Sequence, residues 1–523
     1  MSPTEVDSQL LGHSRIAGRP VPGTGPTFEA VDPATGEALP PAYRTIGSTE
    51  VDAAVDAATA AFAEFRHASP EQRAGLLRLI ADNIDAVNDE LVDRARRETG
   101  LPEGRLYGEV SRTSNQLRLL AGEVELGEHQ GVRIDHAQPD RSPVPAPDLR
   151  LRFIPLGPVV VFGASNFPMA FSTAGGDTAS ALAAGCPVIV KAHPAHPGTA
   201  ELTAIAVDAA IAACGLPRGL FSVLYGVGND LGAQLVTHPG VRAVGFTGSR
   251  AGGMALSALA QSRPVPIPVY AEMSSVNPVV VLPHRARAAA DVAQGYVDSL
   301  TLGSGQFCTN PGLLFVPRDA TDLRTEIGQR ITAVTGQPML TSRILSSYNE
   351  GAARFASLDV LGSGSPGDGP TTPIPTVATV SAKELRLDHT LADEVFGPAG
   401  LVVTYTDLDD LQATLDSLAG QLTVAVHADP ADHDAVAALL PRLEDLAGRV
   451  IMNAWPTGVE VTHAMVHGGP FPATTAPGTT SVGTLAIQRF QRPVSYQGFP
   501  QELLPAAVRE DNPWQLPRRT LEA

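Results

Sequence analysis

The residues able to do chemistry sit in short settings rich in glycine or proline. Cys308 lies in Leu302-Gly-Ser-Gly-Gln-Phe-Cys308-Thr-Asn-Pro-Gly312, where small residues let the backbone turn sharply and let a substrate reach the sulfur. A thiol presented this way is either a nucleophile or a buried, inert cysteine beside a loop. Glu272 lies in Val269-Tyr-Ala-Glu272-Met-Ser-Ser-Val-Asn-Pro278, between two apolar runs. Desolvation there would raise its pKa toward that of a general base, and the plainer alternative is a structural glutamate paired with an arginine. Asn166, flanked by Ser165 and Phe167-Pro168, offers an amide N–H to a developing oxyanion or a cap to the helix that follows. Lys191 ends an apolar run and either meets a ligand hydroxyl or snorkels to solvent. Gly248-Ser249-Arg-Ala-Gly-Gly253 opens a helical pattern whose free N–H groups suit a pyrophosphate, although a tight turn also explains the glycines.

The elements that position these residues are legible from periodicity. Short apolar strands at Val159–Phe162, Pro187–Val190, Phe221–Tyr225 and Ala243–Phe246 alternate with helical stretches of 10–15 residues, one of them following Ser165-Asn-Phe-Pro168 and running through Ala184. That alternation predicts a doubly wound, parallel α/β sheet, which binds ligands outside the carboxyl ends of its strands. Asn166, Lys191 and Gly248-Ser249 all follow strand ends. Before the sheet, residues 1–48 read as a polar arm with short strands. Next comes a helix from Thr49 to Phe65 capped by Ser48 or Thr49, then one from Pro70 to Arg97, then one over Leu106–Leu126. Residues 129–149 read as a loop. A second α/β stretch starts near Glu272, with strands at 279–282, 313–316, 376–380, 399–404, 422–426 and 449–453 and a helix across 286–300. The tail from Gln488 is polar and extended, and should fold back on the body or onto a neighbouring subunit.

A chain of 523 residues exceeds one ordinary core, so two or three domains are expected. A net charge of −18 argues against nucleic acid and anionic membrane surfaces as partners. Three cysteines give no disulfide framework, and Cys186 and Cys214, in alanine-rich settings, read as structural. The Met1–Asp7 stretch lacks a leader pattern and no long apolar run occurs, so a cytoplasmic protein is expected.

Taken in order, Asn-Phe-Pro, the strand-end lysine, Phe-Thr-Gly-Ser-x-x-x-Gly, Glu-Met-Ser-Ser-x-Asn-Pro, Gly-Gln-x-Cys-Thr and Glu394-Val-Phe396-Gly-Pro resemble the aldehyde dehydrogenase superfamily, from about residue 27 to the C-terminus. Within it, Lys191-Ala-His-Pro-Ala-His-Pro-Gly198, Phe307-Cys-Thr-Asn-Pro-Gly-Leu313, His467-Gly-Gly-Pro-Phe-Pro-Ala-Thr-Thr475 and Arg489-Phe-Gln-Arg-Pro-Val-Ser-Tyr496 are most similar to the 2,5-dioxopentanoate (α-ketoglutaric semialdehyde) branch. Related NADP-linked fatty-aldehyde dehydrogenases share some of these stretches.

The resemblance implies a Rossmann-like cofactor domain (1–143 and 158–271), an α/β catalytic domain (272–487) and a bridging oligomerisation element (144–157 and 488–523), with a homodimer or homotetramer as the assembly. It implies Cys308 as the nucleophile toward an aldehyde, Asn166 with the Cys308 backbone N–H as oxyanion donors, and Glu272 as the base that activates water. NAD or NADP would be held by Lys191 at the adenosine ribose, by Gly248 and Ser249 at the pyrophosphate, and by Glu394 and Phe396 at the nicotinamide ribose and ring. No metal is implied.

The sequence departs from the family pattern at Ser165, where tryptophan is usual, and at Ser274-Ser275, where Gly-Gly is usual; both occur in the semialdehyde branch. Pro194 replaces a glutamate typical of NAD-selective members, which should admit NADP. Arg112 falls on the helix that lines the family's substrate tunnel, with Phe167 nearby. It either clamps the far carboxylate of a semialdehyde or is a solvated helix arginine. The alternatives are a long-chain or broad-specificity enzyme with an apolar tunnel, and a non-catalytic binding protein on the same fold.

Overall fold

A computed structural model of the chain describes residues 10–521, so the Met1–Asp7 stretch lies outside the described residues. Two seven-stranded sheets organise it. The first runs in the order Val269–Glu272, Ala243–Thr247, Val159–Phe162, Val188–Lys191, Phe221–Leu224, Ser14–Ile16, Arg19–Val21. Its first five strands are parallel, and the hairpin from the N-terminal arm extends it antiparallel. These strands are short and apolar on both faces because helices cover both sides. Helices Pro70–Ala86, Glu103–Leu126 and Pro197–Ala213 pack on one face, and Ser48–Phe65, Asp230–Thr237 and Arg250–Gln261 on the other. The expected doubly wound α/β architecture is therefore present.

The second sheet runs Asp359–Ser363, Thr376–Ser381, Ala399–Tyr405, Leu313–Pro317, Val279–Val281, Gln421–His427, Ala447–Met452. Only the edge strand Asp359–Ser363 is antiparallel. A smaller sheet joins Gln491–Gln497 to Leu149–Pro155, Arg133–Asp135 and Arg519–Thr520, so the tail does fold back on the body.

Several local expectations need correction. The second helix is two, Pro70–Ala86 and Asn88–Thr99, broken at Val87. The first is capped by Gly47, whose N–H donates to the Glu50 carboxylate at 2.8 Å, and not by Ser48 or Thr49. The stretch 129–149 is not all loop, because Arg133–Asp135 pairs with Leu149–Leu151. The helix expected directly after Ser165-Asn-Phe-Pro168 starts only at Gly176, after a run of turns. Asn166 is therefore ten residues too early to cap it.

Candidate functional site

The two sheets meet the chemistry through their connecting loops. Cys308 follows a single-turn segment, Leu302–Gly305, in which Gly303, Ser304 and Gly305 all have positive φ (55°, 58° and 66°). Glycine is required at 305, since a Cβ there would lie 2.2 Å from the Gly397 carbonyl carbon. Ser304 tolerates the conformation by donating its hydroxyl to Gln337 O at 2.9 Å. Downstream, Asn277 at φ 45° donates its amide to Cys308 O at 2.8 Å and Asn310 O at 2.9 Å. The turn is thus pinned on both sides.

Glu272 ends its strand and is buried (4% exposed). Residues 473–475 run alongside that strand, and this brings His467 and Ser481 to its carboxylate. The Ser481 hydroxyl donates to Glu272 Oε2 at 2.6 Å, and His467 Nε2 lies 2.7 Å from Oε1 and 3.3 Å from Cys308 Sγ. Glu272 is therefore not paired with an arginine. Its expected upward pKa shift is also overturned: burial does push the carboxyl up, but His467 and Ser481 outweigh it and hold the group below its usual value. Cys308 is driven the other way. Burial raises its thiol well above the ordinary value, as do the charges of Glu272 and Glu394, with Arg112 opposing.

The ligand atoms of Glu272, Cys308 and His467 lie within 4.8 Å of one another. The 2.7 Å between Nε2 and Oε1 is too close for two ligands on one tetrahedral zinc ion, which stand roughly 3.3 Å apart.

Asn166 is brought beside this group. Its Nδ2 donates to Gln306 O at 3.0 Å, two residues before the cysteine. Phe167 packs edge-on against Phe307 and Phe171, at 5.4 and 5.3 Å between centroids. Arg112 lies over Phe171 (4.9 Å) and donates Nε to Val459 O at 3.3 Å, while its Nη1 and Nη2 are buried without partners. It is not a solvated helix arginine. Burial lowers its pKa, and the charges of Glu109, Cys308, Glu272 and Glu460 oppose that shift. Phe171, which it covers, packs in turn against His467 beside the cysteine.

Lys191, Gly248 and Ser249, three of the cofactor candidates, lie at the carboxyl ends of strands of the first sheet, and Glu394 and Phe396 precede a strand of the second. Lys191 is half-buried with no carboxylate partner among the described residues, and burial pushes it down to about 8. Ser249 caps the helix Arg250–Gln261 by accepting from Gly252 N at 3.2 Å, so the predicted helix start is present. Gly248 N donates to Glu272 O at 3.1 Å, linking that turn to the Glu272 strand. Glu394 and Phe396 line one cavity with Ser275, Phe307 and Asn310, and burial pushes the Glu394 carboxyl up to about 7. A strand-end ammonium without an acid partner, a helix N-terminus and a desolvated carboxyl suit the hydroxyls and phosphates of a dinucleotide.

Sequence reasoning missed three residues here. His467 is separated from Cys308 by most of the second sheet, and its Gly-rich surroundings carry no spacing signal. Arg105 stacks on Phe167 and Phe307 and donates to Asn166 O at 2.7 Å. Arg449 is placed close enough for the Cys308 charge to act on it. Of the other cysteines, Cys186 is buried and donates to Phe490 O at 3.4 Å, whereas Cys214 is exposed, contrary to its expected structural burial.

With this geometry described, the comparisons fix the class. Residues 21–470 match the model of the aldehyde dehydrogenase family, and the chain belongs to that family. It is an NAD(P)-dependent aldehyde dehydrogenase, oxidising aldehydes to carboxylic acids. Among relatives, it is 50% identical over 518 residues to "Alpha-ketoglutaric semialdehyde dehydrogenase 2" of Azospirillum brasilense, covering 98% of each chain. It is 45% identical over 519 residues to "Alpha-ketoglutaric semialdehyde dehydrogenase" of Acinetobacter baylyi, again covering 98% of each. In fold it is similar to a crystal structure of aldehyde dehydrogenase C from Pseudomonas syringae, a mutant complexed with NAD+ and octanal. That match has a TM-score of 0.78 at 22% identity and covers 93% of this chain and 97% of that one.

Proposed function

We propose that the chain oxidises 2,5-dioxopentanoate to 2-oxoglutarate. The observation that carries this is Arg112, a guanidinium over Phe171 on the Cys308 side of the site with two buried, unpartnered nitrogens. A carboxylate at the far end of a short semialdehyde gives them partners. Arg449 adds a second cation within reach of the Cys308 charge, which favours an anionic substrate over a neutral one. The two relatives with that printed activity support the same substrate.

In this reading the Cys308 thiolate attacks the aldehyde carbon, with the Asn166 amide and the Cys308 N–H at the oxyanion. A bound nicotinamide would supply the hydride acceptor. Lys191, Gly248 and Ser249 would hold the adenosine ribose and pyrophosphate, Glu394 and Phe396 would hold the nicotinamide end, and Phe167 walls the substrate. Glu272 then assists water in releasing the acid from the cysteine thioester. Pro194 leaves room for NADP beside NAD.

The domain division at 1–143 with 158–271, 272–487, and 144–157 with 488–523 belongs to the same proposal. So do a homodimer or homotetramer formed through the small sheet of Leu149–Pro155 and Gln491–Gln497, and a cytoplasmic location. Among the described residues no helix is long and apolar enough to cross a membrane.

The test is cofactor reduction with a panel of aldehydes, with Cys308→Ala as control. The semialdehyde should give the highest kcat/KM. A neutral long-chain aldehyde ahead of it would overturn the substrate, and turnover by Cys308→Ala would overturn the chemistry.

A further inference from the structure

The environment of Cys308 poses a problem that the residues named so far do not solve. Its thiol is pushed well above its ordinary value by burial and by the carboxylates Glu272 and Glu394. A thiol so placed is almost wholly protonated at neutral pH, and the thiol is not the nucleophile. Arg112 opposes the shift and Arg449 is near, but neither accepts a proton. Arg112 is itself partly balanced by Glu109 and Glu460.

One group in contact with the sulfur can take the proton. His467 Nε2 stands 3.3 Å from Cys308 Sγ in hydrogen-bonding orientation. The ring is 1% exposed and its residue is held at the backbone on both sides, by its main-chain N–H to Thr480 Oγ1 (2.9 Å) and by its carbonyl, which accepts from Ser481 N (2.8 Å). Phe171 packs on its face at 5.9 Å. Glu272 Oε1 lies 2.7 Å from the same nitrogen, yet no aligned donor reaches that oxygen, so the ring nitrogen is turned toward the sulfur and not the carboxylate. The carboxylate is thus placed to stabilise an imidazolium without competing for its axis.

We infer that His467 is a catalytic base for Cys308, taking the thiol proton so that a thiolate–imidazolium pair forms beside Glu272. The S–H bond breaks, an Nε2–H bond forms, and the bonding pair stays on sulfur to attack the aldehyde carbon. Nothing is oxidised in this transfer, and the proton stays between Sγ and Oε1. Glu272 then has two tasks, steadying the imidazolium during attack and assisting water afterwards. The inference rests on Cys308 being the nucleophile, but not on which aldehyde it attacks.

The test therefore uses neither aldehyde nor cofactor. In a Cys214→Ser background, which removes the exposed thiol, the rate of iodoacetamide addition at Cys308 is followed by mass spectrometry of its peptide from pH 5 to 10.5. Wild-type His467 should support alkylation at neutral pH. His467→Gln should slow it by about 10-fold or more at pH 7 and return to the wild-type rate as pH rises, since hydroxide then does the ionising. His467→Phe, which keeps a ring against Phe171, should behave likewise, and the recovery at high pH shows that the site is still folded. Identical pH profiles in wild type and variants would overturn the inference, as would a loss that persists at high pH in both variants. Failure of the proposed activity shows separately, as a wild-type protein that reduces neither cofactor with any aldehyde.

Discussion

Replacing Arg112 by alanine tests the anion clamp. Within the protein the side chain makes one hydrogen bond, Nε to Val459 O at 3.3 Å, and lies over Phe171, while Nη1 and Nη2 have no partner. Buried Glu109 loses one balancing charge but keeps Arg105 and the Met169 and Ala170 N–H groups, and the change also removes a desolvated cation, so the fold should survive. What is lost is the pair of nitrogens available to a substrate carboxylate. A charge-assisted hydrogen bond contributes about 1.5–3 kcal/mol, which is roughly a 10- to 100-fold rise in KM for the semialdehyde. A neutral aldehyde of equal length makes no such bond. Arg112 also steadies the Cys308 thiolate, so some loss of kcat is expected with both substrates, and the discriminating quantity is the ratio of the two KM changes. Steady-state kinetics with both aldehydes, with thermal unfolding as a control, measures it. An equal rise for both, or no rise for the semialdehyde, would refute the clamp.

Two further outcomes follow from the same geometry. Pro194 offers no carboxylate to repel a 2′-phosphate, so kcat/KM with NADP should be comparable to or above that with NAD; a strong NAD preference sinks this. His129 is buried with both ring nitrogens unpartnered, and burial pushes it down to about 3, so the folded state binds its proton far more weakly than the unfolded chain. Stability should therefore fall as pH drops from about 6.5 toward 3, by about 1.4 kcal/mol per pH unit from this one group. His129→Leu should flatten the acid side of the stability curve by that slope, as read by denaturant unfolding at several pH values. An unchanged slope would show that the ring is protonated in the fold.

How much of this was legible depended on whether the information was local. The strands Val159–Phe162 and Val188–Lys191 announce themselves because a sheet covered on both faces needs uninterrupted apolar residues. Cys308, Glu272 and Asn166 could be singled out because each sits in its own turn or strand end. The sign of the Glu272 shift was not legible, because it depends on His467, brought in by a loop that folds back along the strand from the far end of the chain. Asn166 looked like a cap because the sequence does not show the turns that delay the next helix to Gly176. The break at Val87 escaped because the apolar stripe continues across it, from Ile84 to Leu91 and Val92.

The two serines that replace the usual Gly-Gly after Glu272 show what tertiary contacts add. The Ser274 hydroxyl accepts from Arg250 N at 3.3 Å and hydrogen-bonds the Glu394 carboxyl, which it helps to hold down against burial. One side chain thus ties the Ser249 helix start to the carboxylate at the other end of the cofactor candidates. The Ser275 hydroxyl contacts Asn277 Oδ1 and Gln421 Oε1, each at 2.9 Å, and accepts from Leu422 N at 3.0 Å. Asn277 in turn holds the Cys308 carbonyl. Glycines here would leave these groups to solvent or unpaired, and each buried group left so costs about 1–3 kcal/mol. The departure from the family pattern is therefore a set of struts: one serine fixes the cofactor side of Glu272, and the other fixes the backbone that carries the nucleophile.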